Sequence, residues 1–105
     1  MEPSLFDLTG KVAIVTGASR GLGRSFARAL ARAGADLAIT SRGLPALAET
    51  KAEIEALGRK ALPVELDVRD QASIARLVPA VMDAYGKIDI LVNNAGCNVR
   101  TPAVE

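Results

Sequence analysis

With 105 residues, half of them apolar, the chain has the material for one domain with a buried core, enough to remove roughly 60–70% of its extended-chain surface from water. Thirteen Lys and Arg against twelve Asp and Glu leave a net charge of +1, so nothing in bulk charge draws the chain to nucleic acid or an acidic membrane. A lone cysteine, Cys97, excludes an intramolecular disulfide and a Cys-rich metal site, and the lack of histidine closes imidazole mechanisms to this chain on its own. The start, Met1-Glu2-Pro3-Ser4, has no basic segment leading into an apolar run, and no apolar stretch approaches the roughly 20 residues of a membrane helix. A soluble cytoplasmic protein is the expectation.

In chain order, residues 1–10 are a lead-in whose Leu5, Phe6 and Leu8 pack under the first strand, predicted at 12–16 from Val12, Ile14 and Val15. A glycine-rich loop follows, and from Leu22 the apolar residues Phe26, Leu30 and Ala33 recur at helical spacing, with Arg24, Arg28 and Arg32 on another face and Gly34 at the end. Residues 36–40 read as strand two. Residues 44–57 read as a helix with Leu44, Leu47, Ile54 and Leu57 on one side, interrupted by Lys51. Residues 61–66 read as strand three, and Pro63, which cannot donate a ladder hydrogen bond, asks for a sheet edge. Asp70 is a fitting N-cap for a helix over 71–85, striped by Ile74, Leu77, Val78, Val81 and Tyr85. Pro79 inside it should bend or divide that helix, at about 3 kcal/mol if uncompensated, and a single kinked helix is the expectation. Gly86-Lys87 turns into strand four at 88–92, and a Pro-containing tail completes the chain.

Strands alternating with crossover helices imply a three-layer α/β domain of Rossmann type, a parallel sheet with helices on both faces and strand order 3-2-1-4. That order puts Pro63 on an edge strand. It also puts the loops after strands one and four on either side of one crevice. Strand four, with no proline or lysine guarding it, asks for a fifth strand, and without one it would offer an edge for association.

The crevice loops hold the small and polar residues. Gly17 permits a tight turn, and Gly21 and Gly23 allow a pyrophosphate and the neighbouring strand to approach a helix start near Leu22. The plainer reading is a turn that needs positive φ. After strand two stand Ser41 and Arg42, with Arg20 in the first loop; an arginine there suits the 2′-phosphate of NADP, or is a solvated surface charge. Asp67 either accepts an adenine amine or serves a turn. Asn93 is assigned to bracing the sheet and Asn94 to the ligand. Cys97 reads as a small half-buried thiol rather than a nucleophile, and Tyr85 and Lys87 lie at the end of the sheet away from the crevice.

Together the loops resemble the short-chain dehydrogenase/reductase family. Thr16-Gly17-Ala18-Ser19-Arg20-Gly21-Leu22-Gly23 is similar to its Thr-Gly-x-x-x-Gly-x-Gly motif, Asp67-Val68 to its adenine-side pair, and Asn93-Asn94-Ala95-Gly96 to its motif after strand four. The resemblance implies NADP(H), preferred over NAD(H), and hydride transfer between a small-molecule alcohol and a carbonyl. It implies cofactor contacts at Gly17, Ser19, Arg20, Gly21, Leu22, Gly23, Ser41, Arg42, Asp67, Val68, Asn94, Ala95 and Gly96. The stretch through Arg100-Thr101-Pro102 is similar to members acting on sugar acids or polyols. The family's catalytic serine, Tyr-x-x-x-Lys pair and supporting asparagine match no position here. Residues 1–105 are therefore expected to be the cofactor-binding N-terminal part of a longer domain, inactive alone and homo-oligomeric when full length. The alternatives are a non-catalytic NADP-binding module and a structural half-domain associating through strand 88–92.

Overall fold

The computed structural model describes residues 7–67, 69–94 and 98–100. The strands are β1 (Val12–Val15), β2 (Asp36–Ser41), β3 (Ala61–Glu65), β4 (Ile90–Asn93) and β5 (Asn98–Arg100). The helices are α1 (Gly21–Arg32), α2 (Ala48–Ala56) and α3 (Gln71–Tyr85), with a single 3₁₀ turn, Leu44–Leu47, ahead of α2. They form one five-stranded sheet of order β3-β2-β1-β4-β5.

Period-two alternation within the central strands builds both faces. Ala13 and Val15 of β1 and Leu37 and Ile39 of β2 point to one side, where they bury Ala27 and Ala31 of α1 and Ile54 of α2. Val12, Ile14 and Ala38 point to the other, against Leu77 and Val81 of α3. This two-sided burial explains why strands one and two read as nearly continuous apolar runs. Between the helices on the first face, Arg24 of α1 donates from Nε (2.9 Å) and Nη2 (2.6 Å) to Glu53 of α2, and from Nη1 to Glu49 at 3.1 Å.

Pro63 sits on β3, an edge strand, as its missing donor requires. Helix α3 runs unbroken from Gln71 to Tyr85 with Pro79 inside it, so the helix expected over 71–85 is present whole. Pro79 and Ala75, whose carbonyl loses its helical partner, are both exposed, so water can serve that carbonyl. Asp70 caps α3 as read, its carboxylate accepting the Ala72 N–H at 3.0 Å. The expected single helix 44–57 instead opens with the 3₁₀ turn, where the Ala46 N–H reaches back only three residues to the Gly43 carbonyl.

The start of β4 departs from expectation, and its outer side carries a fifth strand of the kind the sequence asks for. At its start, the Val12 N–H is taken by the Asp89 carboxylate at 2.9 Å rather than by a backbone carbonyl, and the strand begins at Ile90. At its outer side, β5 turns back antiparallel, pairing Leu91 with Arg100 and Asn93 with Asn98. The edge assigned to strand 88–92 is therefore covered, and it is β5 that ends the sheet.

Tyr85 closes the face away from the crevice, its hydroxyl donating to the Leu37 carbonyl at 2.8 Å. Burial, with a contribution from the Asp36 carboxylate, pushes this phenol up from 10.0 to about 12. A folded value above the unfolded one favours the neutral phenol, so its contribution is complete below the unfolded value and is lost as pH rises through the folded value. Denaturant midpoints should fall between about pH 10 and pH 12 in the native protein, and Tyr85→Phe should remove that part of the fall. An identical alkaline profile in the variant would contradict this placement.

Candidate functional site

At the carboxyl ends of β1 and β2, with the loop after β4 beside them, lies a cleft of about 670 Å³, within the usual range of ligand sites. Gly17, Ser19, Arg20 and Gly21 line it from the first loop, Ser41 and Arg42 from the second, and Asn94 from the third. All seven were expected cofactor contacts. Thr40, Gly43, Ala46 and Leu66 complete the lining and were not. Thr40 and Leu66 close the predicted strands two and three at their carboxyl ends, the position that faces such a crevice, and that signal was available in the sequence.

The glycine loop is held from several sides. The Thr16 hydroxyl accepts the Asn94 N–H at 2.9 Å and donates toward the Asn93 side-chain carbonyl at 3.2 Å, tying the ends of β1 and β4 together. Asn94 Nδ2 donates to the Gly17 carbonyl at 3.2 Å. Asn94 thus braces the loop as well as lining the cleft, so bracing does not fall to Asn93 alone. The Ala18 N–H donates to the Thr40 carbonyl at 2.9 Å. Gly17 and Gly21 adopt φ of 63° and 60°, the left-handed region that disfavours side chains. Gly23 serves space instead: a Cβ there would lie 2.0 Å from the Gly17 carbonyl oxygen. It is buried under the loop, whereas the Leu22 side chain projects outward, 58% exposed.

Helix α1 begins at the floor of this cleft. Its N-cap, Arg20, is extended, and an arginine side chain holds donors only, so it cannot serve the first-turn amides. No acidic residue stands in that turn. Without a side-chain cap among the described residues, the helix start presents its first N–H groups and the positive end of the helix dipole to the space above. On the facing wall the Ser41 hydroxyl donates to the Gly43 carbonyl at 2.7 Å, fixing the turn that carries Arg42.

Asp67 lies outside the main cleft. It lines a neighbouring polar hollow of about 500 Å³ with Glu65, Asp70, Ser73 and Arg76, and Arg42 stands on the wall of both. Its carboxylate accepts the Arg69 N–H (3.0 Å), Nε (3.2 Å) and Nη2 (3.3 Å), and its own N–H donates to the Ser73 hydroxyl. Those bonds to Arg69 hold its carboxyl below the usual aspartate value, with the Arg42 charge adding to the effect. The turn role is the one this geometry displays. Val68, Ala95, Gly96 and Cys97 lie outside the described residues. Lys87 pairs with Asp89 at 3.2 Å and the Tyr85 hydroxyl with the Leu37 carbonyl, and neither residue lines the cleft.

The short chain dehydrogenase sequence profile matches residues 11–105. The chain belongs to that family. It is 50% identical over 98 residues to a sorbitol dehydrogenase of Cereibacter sphaeroides, covering 93% of this chain and 37% of that protein. It is 44% identical over 104 residues to a gluconate 5-dehydrogenase of Gluconobacter oxydans, covering 99% and 41%. The chain thus spans about two fifths of the length of these relatives. Among solved structures, a short-chain type dehydrogenase/reductase from Mycobacterium marinum superposes with a TM-score of 0.81 at 41% identity, over 83% of this chain and 35% of that one. A metagenomic short-chain oxidoreductase in complex with NADP gives 0.77 at 39% identity, over 81% and 38%.

The family binds a nicotinamide cofactor, and the residues present fit one. The first amides of α1 suit a pyrophosphate, the positive-φ glycines leave the loop open to close approach, and the cleft has the volume for a nucleotide. Among the described residues, no helix is long and apolar enough to cross a membrane, and no group of acidic or cysteine side chains could hold a metal.

Proposed function

We propose that residues 1–105 form the dinucleotide-binding part of an NADP(H)-dependent oxidoreductase that moves a hydride between an alcohol and a carbonyl. The carrying observation is that Arg20 and Arg42 line the same cleft as the uncapped start of α1. In this reading the amides of Ser19 to Gly23 receive the pyrophosphate. Arg42 and Arg20 receive the 2′-phosphate, and Leu66 and Ala46 provide apolar surface for the adenosine. Asn94, whose amide nitrogen is given to Gly17, keeps the loop after β4 in register with the glycine loop. The bound dinucleotide supplies the hydride.

The relatives' names support a polyol or sugar acid as substrate, since one acts on sorbitol and another on gluconate. The reading includes a cytoplasmic setting, which a single cysteine fits. The 105-residue chain alone is expected to bind without turnover, because its one tyrosine is engaged with Leu37 at the far end of the sheet. Parallel calorimetric titrations test the cofactor assignment. A charge-assisted contact of roughly 1.5–3 kcal/mol should make NADPH bind about 10- to 150-fold tighter than NADH. Equal affinities would remove the role given to the arginines.

A further inference from the structure

Helix α2 touches the glycine loop at one polar point. The Thr50 hydroxyl, with the residue 0% exposed, donates to the Ala18 carbonyl at 2.9 Å across 32 residues of chain. Among the described residues every peptide bond is trans, and in a planar trans peptide the N–H runs antiparallel to the carbonyl. A carbonyl held toward Thr50 therefore aims the Ser19 N–H away from the core, and Ser19 lies on the cleft wall. Acceptance of a hydrogen bond by that carbonyl also polarises the peptide, strengthening the Ser19 N–H as a donor. From its other side the same segment is held by the Ala18 N–H on Thr40, so the Ala18–Ser19 peptide has little freedom to rotate.

We propose that Thr50 is a positioning residue for the cofactor's pyrophosphate, acting through the Ala18–Ser19 peptide; this rests on the nucleotide reading of the cleft. The pyrophosphate is common to both nicotinamide dinucleotides, whereas the group facing Arg42 is not. The two residues therefore have separable signatures. Thr50→Val, which keeps shape and removes the hydroxyl, should weaken NADPH and NADH by the same factor, about five- to tenfold. Thr50→Ser, which keeps the hydroxyl, should bind both as the native chain does.

Titrations of the native, Thr50→Val and Thr50→Ser chains with each dinucleotide, well below the unfolding transition, decide the matter. A purely structural Thr50 would lower the melting temperature and leave both affinities of the folded valine variant unchanged, overturning the proposal. A loss confined to NADPH would overturn it too. Should the valine variant not fold, Thr50→Ala, which also removes the hydroxyl, takes its place under the same two outcomes, and a loss of affinity in a folded serine variant contradicts the proposal. If the native chain binds neither dinucleotide, the nucleotide reading itself fails, and the Thr50 proposal fails with it.

Discussion

Gly23→Ala is expected to destabilise the fold by about 3 kcal/mol or more and to abolish dinucleotide binding, although alanine is the better helix former by about 1 kcal/mol. The added Cβ would sit 2.0 Å from the Gly17 carbonyl oxygen, 2.8 Å from its carbon and 2.9 Å from Asn94 Nδ2. None of these atoms has a cheap escape. The Gly17 carbonyl is backbone, at φ 63°, and is itself the acceptor of the Asn94 amide. Moving it breaks the brace between the loops after β1 and β4, and those loops form two walls of the cleft. Gly21→Ala is the matched control. Its Cβ would meet nothing within 4 Å, so its cost is only that of a left-handed conformation, about 1–2 kcal/mol. Denaturant unfolding of both variants measures the difference, and a Gly23→Ala chain as stable as Gly21→Ala would contradict the loop packing.

Arg42→Ala should cost NADPH about 10- to 150-fold in affinity and leave NADH nearly unchanged. Arg42 is exposed at the turn after β2, where Ser41 holds the backbone, so removing its side chain disturbs no core contact. Its charge also helps keep the Asp67 carboxyl ionised, but the Arg69 hydrogen bonds are the larger cause and stay in place. The loss should shrink as salt is raised, because the contact is solvent-facing and screened. A variant that loses NADPH and NADH alike would place the effect in the loop's structure rather than in the phosphate.

Much of this architecture was written in local pattern. The runs of β1 and β2 announced strands buried on both faces, Pro63 announced an edge, and Asp70 announced the start of α3. What sequence missed depends on partners distant in the chain. The shortening of β4 turns on a carboxylate reaching Val12. Pairing of β5 with β4 left no signal in three residues, two of them polar. At the site, the glycine loop and Arg42 were legible because spacing after a strand determines them. The bracing by Asn94 and Thr50 was not, since a hydrogen bond between residues 77 or 32 positions apart has no local signature. Asp67 shows a third kind of difference: it stands outside the main cleft, and its partner, Arg69, is only two residues away.

The central claim is that the cleft above the start of α1 holds NADP, with its pyrophosphate on the helix and its 2′-phosphate at Arg42. Backbone amide NMR of the isotopically labelled chain, titrated with NADPH and separately with NADH, tests it most directly. The account predicts saturable shifts concentrated at Ser19, Arg20, Gly21 and Gly23 with either dinucleotide, and a further shift at Arg42 with NADPH alone. Shifts absent from the glycine loop, or confined to the exposed Ile74, Val78 and Met82 of α3, would contradict it.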